Sequence, residues 1–385
     1  MLIESYLFSW LIPLLWILVV SYAIFTIGLT FLWSRIPANS KKTADRSAIF
    51  ISVIIPVRNE ETNILNLLSD LNIQSFPHGQ FEILVMDDGS TDETASLVKQ
   101  FALEHTINIS VINLPDIKTS SPKKRAIETA IAVAKGNLIT TTDGDCRVGT
   151  DWLQSIADCY VRTNAKLISG PVTFFDEYSL TDYLQTVEFA SLIGSGASAI
   201  SAGFPSLCNG ANLTYEKNVF NEVKGFDGVR HIASGDDEFL MHKIAAKYPD
   251  GIQFLKNPGA IVRTGAHQQW SLFFRQRKRW ASKWKHYKSK TPLVLALYVF
   301  LCNFSLLLSC VLFLCGIIEA PQLGLFWLLK CVPEWLFISL VLRFLGKSKS
   351  ILFIPVTQII YPFYVCFFGL AVQKPAYEWK GRKLV

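Results

Sequence analysis

Residues 137–147, Asn-Leu-Ile-Thr-Thr-Thr-Asp-Gly-Asp-Cys-Arg, contain the pattern on which the fold prediction depends. The segment begins with apolar and β-branched residues, which are typical of a buried strand. It then changes abruptly to Asp143-Gly144-Asp145. Two carboxylates at the carboxyl end of a buried strand lie where open α/β sheets bind their ligands, although Asp and Gly are also common in plain turns. The segment therefore predicts an α/β sheet with an acidic ligand site at one edge.

The chemistry of this acidic pair indicates a hard divalent cation. Carboxylate oxygens suit Mg²⁺ or Mn²⁺, and proteins usually hold such ions with one or two carboxylates together with substrate phosphates. A simple turn without a ligand is the alternative that these residues alone leave open.

The composition indicates a membrane protein with a soluble middle part. Half of the 385 residues are hydrophobic and only 18% are charged, whereas ordinary soluble domains have about 25% charged residues. The net charge of +6 is modest, and the basic residues lie beside apolar stretches. This distribution favours an anionic lipid surface, and no nucleic acid is expected as a partner. The eight cysteines include no C-x-x-C pair, so neither a zinc site nor a disulfide framework is predicted.

Residues 1–36 are predicted to form an N-terminal transmembrane anchor. Residues 7–33 are almost free of charge and are long enough to cross a bilayer. Basic residues such as Arg35 and Lys41 follow this segment, and none precedes it. The positive-inside rule therefore predicts an integral protein of the cell (inner) membrane whose soluble domain is cytoplasmic.

The middle of the chain alternates strands with helices, which implies a doubly wound, mainly parallel sheet. Polar groups follow the predicted strands and also begin a later helix: Arg58 and Glu60, Asp87 and Asp88, Asp143 and Asp145, and Asp236 and Asp237. Because the carboxyl ends of parallel strands meet at one crevice, we expect these groups to converge. Each group also has a simpler explanation as a turn, a helix cap or a solvated face. No G-x-G-x-x-G follows the first strand and no G-x-x-x-x-G-K occurs, which disfavours dinucleotide-binding and P-loop domains.

The C-terminal third is predicted to return to the membrane. Residues 267–290 are aromatic and strongly basic, as is typical of a helix in the membrane interface. Two apolar segments after them are clear spans, whereas a third is interrupted by Lys330, Pro333 and Glu334. Three crossings would place the basic tail outside, although its charge favours the cytoplasm. A re-entrant or interfacial segment at residues 330–334 would reconcile the two signals.

The motifs and their order resemble those of the membrane-bound family 2 glycosyltransferases. The resemblance covers about residues 49–284 and rests on five motifs, with Lys123 between the second and the third. The motifs are Val53-Ile54-Ile55-Pro56-Val57-Arg58-Asn59-Glu60-Glu61, Asp87-Asp88-Gly89-Ser90-Thr91-Asp92, Asp143-Gly144-Asp145, Gly235-Asp236-Asp237 and Gln276-Arg277-Lys278-Arg279-Trp280. The third looks like the D-x-D of the family and the last looks like its Q-x-x-R-W. Two features depart from the family. Gly235-Asp236-Asp237 occupies the place of the family's Thr-Glu-Asp motif, and the membrane part is smaller than in polysaccharide synthases.

The resemblance implies a GT-A fold, which is the doubly wound mixed sheet of nucleotide-diphospho-sugar transferases, flanked here by transmembrane helices. It also implies an inverting transfer of a sugar from a nucleotide-diphosphate sugar to a hydroxyl of a lipid or lipid-linked glycan at the cytoplasmic membrane face. The implied segments are 1–36 (anchor), 47–266 (GT-A domain), 267–290 (basic interfacial helix), 291–373 (two or three spans) and 374–385 (basic tail).

The resemblance further implies roles for individual residues. Asp237 would be the catalytic base, and Asp145 with Asp143 would hold Mg²⁺ or Mn²⁺. The expected contacts of the nucleotide sugar are Pro56, Arg58, Glu60, Asp87, Asp88, Lys123 and Asp143. The expected contacts of the acceptor and the diphosphate are Asn209, Gly210, Asp236, Gln276, Arg279 and Trp280. His267 is either an additional metal or phosphate contact or a simple loop histidine.

Two other functions compete with this interpretation. A processive polysaccharide synthase is favoured by Q-x-x-R-W and disfavoured by the short membrane part. A non-catalytic membrane subunit would keep the fold without activity, but the presence of both Asp145 and Asp237 argues against it.

Overall fold

The computed structural model describes residues 2–38, 48–117, 119–282, 291–371, 377–379 and 382–384. The linker at 39–47, the last part of the basic segment at 283–290, and much of the basic tail lie outside the described residues. The strands are β1 (Ile51–Val57), β2 (Phe81–Asp87), β3 (Ile109–Asn113), β4 (Leu138–Thr141), β5 (Leu167–Ser169), β6 (Val172–Phe174), β7 (Leu213–Glu216), β8 (Ile252–Phe254), β9 (Val262–Thr264), β10 (Tyr377–Trp379) and β11 (Arg382–Leu384). The helices are α1 (Leu2–Arg35), α2 (Ile64–Asn72), α3 (Thr94–Glu104), α4 (Pro122–Val133), α5 (Trp152–Thr163), α6 (Leu180–Ser201), α7 (Lys217–Glu222), α8 (Glu238–Lys247), α9 (Trp270–Ser282), α10 (Thr291–Leu314), α11 (Ala320–Phe344) and α12 (Ile354–Ala371).

A seven-stranded mixed sheet in the order β3-β2-β1-β4-β7-β5-β8 forms the centre of the soluble domain. Strands β1 to β4 are parallel to one another, and Ile51 of β1 pairs with both Phe81 and Leu138. Strand β7 is antiparallel to β4 and to β5. The predicted doubly wound sheet is therefore confirmed, and β7 is the strand that makes it mixed.

Both faces of the sheet are covered, as expected for strands that are apolar on both sides. Alternate residues of β1 enter different cores, so that Val53 packs with Leu67 and Trp152 while Ile54 packs with Ile127. The second of these cores is continuous with apolar residues of α1, α6 and α11. The soluble domain consequently shares its core with the helices of the membrane part.

In the part of the chain that the structure describes, four helices are long and apolar enough to cross a membrane: Trp10–Arg35, Pro292–Leu314, Ala320–Phe344 and Ser348–Gly369. The segment that Lys330, Pro333 and Glu334 interrupt is α11, one continuous helix of 25 residues rather than a re-entrant segment. Lys330 Nζ lies 2.8 Å from Glu334 Oε2 one turn away, and the Tyr22 hydroxyl donates to Glu334 Oε1 at 2.6 Å. The charges neutralise each other inside the helix bundle, which is how apolar helices tolerate ionisable residues.

Close contacts hold the soluble domain against these helices. A Cβ at Gly194 of α6 would lie 2.5 Å from Val341 Cγ2, so only glycine allows this approach to α11. Lys256 Nζ donates to the Trp33 carbonyl oxygen at 2.6 Å and lies over the Trp33 ring. These contacts fix one edge of the sheet close to the membrane helices.

The buried Asn212 side chain links three segments beside the sheet. Its Nδ2 donates to the carbonyl oxygens of Pro171 (2.9 Å) and Ala260 (2.8 Å), and its Oδ1 accepts from Trp152 Nε1 at 3.0 Å. We expect Asn212→Ala to lower the free energy of unfolding by about 2–3 kcal/mol, because it leaves buried polar groups without partners. Urea unfolding in detergent measures this loss. The exposed Asn221→Ala is the matched control, and equal effects of the two substitutions would contradict the prediction.

Candidate active site

The acidic turn after β4 lies against the end of β1. A Cβ at Gly144 would be 2.9 Å from Val57 Cγ1 and 3.1 Å from Glu60 Cγ. Glycine between the two aspartates therefore allows the turn to approach β1 closely. This approach places Asp143 and Asp145 at the carboxyl end of parallel strands, the usual ligand site of such sheets.

A cleft of about 430 Å³ opens at this edge of the sheet, and most of the sequence-predicted site residues line it. Those residues are Pro56, Arg58, Glu60, Lys123, Asp143, Asp145, Asn209, Gly210, Asp236, Asp237, Gln276, Arg279 and Trp280. They come from segments more than 200 residues apart in the chain. The fold thus brings the motifs into one space, whereas Asp87 and Asp88 are not among its lining residues.

Lys123 connects two of the acidic motifs. Its Nζ lies 2.7 Å from Asp143 Oδ1 and 3.4 Å from Asp236 Oδ2. Burial alone would lower the pKa of Lys123, but the carboxylates of Asp143 and Asp236 outweigh it and hold the pKa above its ordinary value. Lys123 therefore stays a cation and offsets part of the negative charge of the cleft.

Asp237 is held by backbone donors from two directions. The Gly210 N–H donates to Asp237 Oδ2 at 3.1 Å, and the Glu238 N–H donates to Oδ1 at 2.8 Å, which makes Asp237 the N-cap of α8. The Thr141 hydroxyl in turn donates to the Gly210 carbonyl oxygen at 2.8 Å. The carboxylate is thereby fixed in the wall of the cleft, on the same side as the loop that contains Asn209.

Asp87 and Asp88, the two carboxylates at the end of β2, have partners within the protein. Asp87 Oδ1 accepts from the Ser90 N–H at 3.0 Å, and the Asp88 carboxylate pairs with Arg125. Arg58 donates to the carbonyl oxygen of Gly89 at 2.9 Å, while its buried Nε contacts no acceptor among the described residues. Asp87 and Asp88 thus hold the loop that follows β2. The Arg58 side chain, which comes directly after β1, contacts this loop and lines the cleft.

Lys124, next to Lys123, is 1% exposed and points away from the cleft. Its Nζ donates to the carbonyl oxygens of Val229 (2.8 Å), Ile232 (2.8 Å) and Ser234 (3.0 Å). These three residues belong to the loop that leads to Asp236 and Asp237. Lys124 is therefore not part of a solvated basic face, because its charge is satisfied by buried carbonyl oxygens.

We expect Lys124→Met to lower kcat about 100-fold with little change in donor KM, since a misplaced catalytic group costs about that much. Methionine keeps the buried stem but removes the three donors, so the loop before Asp237 loses its anchor. Steady-state kinetics measure the split between kcat and KM. Lys99→Met on the exposed face of α3 is the control, and Lys124→Arg should restore part of the rate. A parallel loss of donor binding would contradict a positioning role.

Helix α9 covers the cleft from the membrane side. The Arg277 guanidinium, 4% exposed, forms paired hydrogen bonds with Glu188 of α6. Its Cζ also lies 4.2 Å from the centre of the Trp280 ring. The Arg277 cation therefore covers one face of the Trp280 ring. Arg277 itself belongs to a buried ion pair and is not part of a solvated basic surface.

Arg279 and His267 contribute to the electrostatics at this end. Burial lowers the pKa of the Arg279 guanidinium, and Asp236, Asp143 and Asp237 oppose this effect. Burial also lowers the pKa of His267, with Arg277 and Arg279 acting in the same direction against a hydrogen bond from His267 to Gln276. His267 is therefore neutral near pH 7, which suits an acceptor or donor of hydrogen bonds better than a cationic phosphate contact.

The donor set suits a cation that is shared with a substrate. Among the described residues, no group of three or more His, Cys, Asp or Glu side chains is arranged to hold a metal ion. Asp143 and Asp145 nevertheless offer carboxylate oxygens on the same cleft. Mg²⁺ and Mn²⁺ are commonly held by one or two carboxylates plus substrate phosphates and water, so these residues fit such an ion.

Sequence reasoning missed two residues that organise the site, Lys124 and Glu188. Glu188 was detectable in principle, because it stands between Val187 and Phe189 in an apolar helix. An isolated carboxylate in such surroundings requires a partner. Lys124 carries no comparable signal, since it belongs to a run of three basic residues.

Comparison with known proteins agrees with this geometry. Residues 52–215 match the model of Glycosyl transferase family 2, and residues 138–368 match that of Glycosyl transferase family group 2. Glycosyltransferase AglE of Haloferax volcanii is 34% identical over 125 residues, which are 32% of this chain and 40% of that protein. Beta-monoglucosyldiacylglycerol synthase of Nostoc sp. is 27% identical over 126 residues, which are 33% of this chain and 26% of that protein. The chain thus spans less than half the length of these two relatives.

A solved structure shares the fold. The mannosyltransferase PcManGT from Pyrobaculum calidifontis, in complex with GDP-Man and Mn²⁺, superposes with a TM-score of 0.54 at 17% identity, covering 90% of this chain and 99% of that chain. This likeness confirms the GT-A fold that the motifs imply. The family group 2 model extends over more than half of the chain and includes its apolar helices. The chain therefore belongs to the family 2 glycosyltransferases, with a GT-A domain and four apolar helices that fit association with a membrane.

Proposed function

We propose that this protein transfers one sugar, with inversion, from a nucleotide-diphosphate sugar to a hydroxyl of a lipid or lipid-linked glycan at the cytoplasmic face of the membrane. The observation that supports it best is the convergence of Lys123, Asp143, Asp145, Asp237 and Arg279 on one cleft. The cleft combines cations for a diphosphate, oxygen ligands for a divalent ion and a further carboxylate, that of Asp237, in its wall.

The donor would lie between β1 and the acidic turn. Pro56, Arg58 and Glu60 line the cleft at this point and would form the wall for the nucleoside. Asp87 and Asp88 would support this wall through the loop that they hold. Lys123 and Arg279 would face the diphosphate, where negative charge develops as the bond to the sugar breaks.

Inversion requires a single displacement at the anomeric carbon, so one base on the acceptor side is sufficient. Asp237 suits this role because backbone N–H groups hold both of its oxygens and so fix the carboxylate in the wall of the cleft. It would take the proton of the acceptor hydroxyl as the oxygen attacks, while the diphosphate leaves. Gly210, Asn209 and Asp236 would border the acceptor, with Gln276 and Trp280 closing the cleft above it.

Asp145, together with Asp143, would hold Mg²⁺ or Mn²⁺. When bound, the cation supplies positive charge that stabilises the leaving diphosphate. Asp143 already contacts Lys123, so the lysine and the cation would share the same carboxylate. The complex of PcManGT with GDP-Man and Mn²⁺ supports this choice of donor class and metal.

The acceptor assignment rests on the position of the cleft beside the apolar helices. Helix α9 covers the cleft and contacts α12, one of the four helices that could span a membrane. An acceptor held in the bilayer would reach the cleft at this boundary. The similarity to the beta-monoglucosyldiacylglycerol synthase of Nostoc sp. supports a lipid acceptor.

A donor screen on the detergent-purified full chain tests the proposal. We expect release of nucleoside diphosphate from one of the UDP-, GDP- or dTDP-sugars, dependent on Mn²⁺ or Mg²⁺ and stimulated by a membrane lipid extract. Product mass then shows whether one sugar is added, as proposed, or many, as for a polysaccharide synthase. Folded protein that neither binds nor consumes any of these donors would overturn the proposal in favour of a non-catalytic subunit.

A further inference from the structure

A second cavity, of about 780 Å³, lies among the apolar helices. Its walls come from α1, α6, α10, α11 and α12, and apolar side chains such as Phe25, Phe300 and Phe337 predominate. Cavities of this size suit a drug-sized or lipid-sized ligand. Because its walls belong to helices that could span a membrane, the natural source of an occupant is the bilayer.

This second cavity adjoins the cleft that contains Asp237. Leu192, Leu207, Glu238 and Trp280 line both spaces. A molecule whose apolar part occupies the second cavity can therefore present its polar end to the cleft. Trp280 and the Arg277–Glu188 pair form the boundary between them.

The wall formed by α10 provides a lateral entrance. Leu293 and Leu297 line the cavity, yet they are 54% and 56% exposed on the outer surface of the helix bundle. On the opposite side, α1 contributes residues from Leu29 to Tyr22, which correspond to about 10 Å along a helix at 1.5 Å per residue. The cavity thus extends about 10 Å along α1, a length that several methylene groups of a hydrocarbon chain can occupy.

The charged groups in this cavity favour an occupant without a net charge. Arg277 is the one cation among the described lining residues, and Glu188 binds it through two hydrogen bonds. The other charged lining residues are the carboxylates Glu238 and Glu334, of which Glu334 pairs with Lys330. The lining cation is thus already paired, and an anionic headgroup would have to compete with Glu188 for Arg277 at a low dielectric constant, where breaking an ion pair is costly.

Small polar groups are present where a neutral headgroup would lie. Ser195 of α6 and Ser206 line the cavity close to the shared residue Leu207. Their hydroxyl groups can both donate and accept hydrogen bonds, as an ester or a hydroxyl group requires. At the deep end, by contrast, Gln358 already donates to the Cys331 carbonyl oxygen and Tyr22 to Glu334.

We propose that the second cavity binds the hydrocarbon chains of an uncharged, hydroxyl-bearing membrane lipid of the diacylglycerol type, whose free hydroxyl is the sugar acceptor in the cleft. This inference rests on the proposed function for the role of the hydroxyl, but the binding of the lipid does not require catalysis. During transfer the lipid oxygen forms the bond to the anomeric carbon, the bond from that carbon to the diphosphate breaks, and the hydroxyl proton passes to Asp237.

Photocrosslinking of the full chain in nanodiscs tests the binding site directly. The probe is a diacylglycerol with a diazirine in the middle of one acyl chain and an alkyne for detection. We expect crosslinked peptides to contain residues 295–300 of α10 and 357–365 of α12, and labelling to be competed by unlabelled diacylglycerol. Crosslinks confined to outward-facing residues such as Leu314 and Leu352, which lie outside these segments, would overturn the proposal. Equal or stronger labelling by a phosphatidic acid with the same chains would overturn the preference for an uncharged lipid.

A pair of substitutions on α10 links the cavity to acceptor use. Ala296→Trp fills the cavity, whereas Val294→Trp adds the same bulk to the outer surface, where Val294 is 62% exposed. We expect Ala296→Trp to reduce both labelling and transfer to diacylglycerol at least about tenfold, since excluding two or three methylene groups from apolar burial has this effect on affinity. Val294→Trp should behave as the unsubstituted protein.

Donor binding separates failure of this inference from failure of the proposed function. Both variants should bind the nucleotide sugar as tightly as the unsubstituted protein, because neither residue lines the cleft. Unchanged transfer to diacylglycerol in Ala296→Trp would overturn the cavity proposal while leaving the enzyme class intact. Specific labelling of the cavity in a protein that uses no nucleotide sugar would support the lipid site and refute the proposed function.

Discussion

Replacing Asp237 by asparagine should lower the rate of sugar transfer about 1,000-fold, which is within the usual contribution of a positioned general base. The substitution removes the group that accepts the proton of the acceptor hydroxyl. It changes the surrounding structure little, because asparagine is as good an N-cap as aspartate and keeps an oxygen that can accept from the Gly210 or the Glu238 N–H. Binding of the nucleotide sugar should be retained.

Two measurements distinguish this outcome from a general defect. The rate of transfer is measured at saturating donor and acceptor, and the affinity for the donor is measured separately by calorimetry. Asp250→Asn, at an exposed turn of the same domain, serves as the matched control. Transfer at the original rate in Asp237→Asn would remove the assignment of this residue, and loss of donor binding would instead indicate a structural role for it.

The sequence predicted the parts of this site that depend on strand order. Parallel strands deliver their carboxyl ends to one edge, so the acidic turn after β4 and the residues after β1 were expected to meet, and they line one cleft. Asp236 and Asp237 were harder to place, because nothing local fixes their position. They reach the cleft through Gly210 and Lys123, which contact them from other segments of the chain.

The sequence failed where a charge is satisfied by a distant partner. Arg277 lies in a basic, aromatic segment whose composition predicts a helix exposed at the membrane interface. In the structure, however, its side chain is buried and is bound by Glu188, 89 residues earlier in the chain. Lys124 similarly has its acceptors more than 100 residues away. Local composition describes the average environment of a segment, and it carries no information on a specific buried ion pair. In α11, by contrast, Lys330 pairs with Glu334 one turn away, and the distant contribution is the Tyr22 hydroxyl that donates to Glu334.

Helix α6 illustrates how these hidden partners connect the domain to the membrane part. Its Glu188 binds Arg277 and also accepts from the Tyr364 hydroxyl of α12 at 3.1 Å. One carboxylate thus ties α9, which covers the cleft, to one of the apolar helices. Because Arg277 lies over the Trp280 ring, the position of Trp280 depends on contacts from both the soluble domain and the apolar helices.

Asp145→Asn should abolish the dependence of donor binding on Mn²⁺ and should lower transfer by about 100-fold to 1,000-fold, the usual cost of losing a group that stabilises charge in the transition state. The amide keeps the shape of the side chain but removes the negative charge that attracts the cation. Donor affinity is measured by calorimetry with Mn²⁺ and with EDTA, and transfer is measured over a range of Mn²⁺ concentrations.

Asp143→Asn provides the decisive comparison, because the two aspartates differ in their partners. Asp143 contacts Lys123 at 2.7 Å, and the carboxylates of Asp143 and Asp236 are what keep the pKa of this buried lysine high. Loss of the Asp143 charge should therefore lower the pKa of Lys123 and weaken donor binding both with Mn²⁺ and with EDTA. In Asp145→Asn, donor binding in EDTA should equal that of the unsubstituted protein. If Asp145→Asn still responds to Mn²⁺ while Asp143→Asn does not, the cation is held by Asp143, and the roles of the two carboxylates must be exchanged.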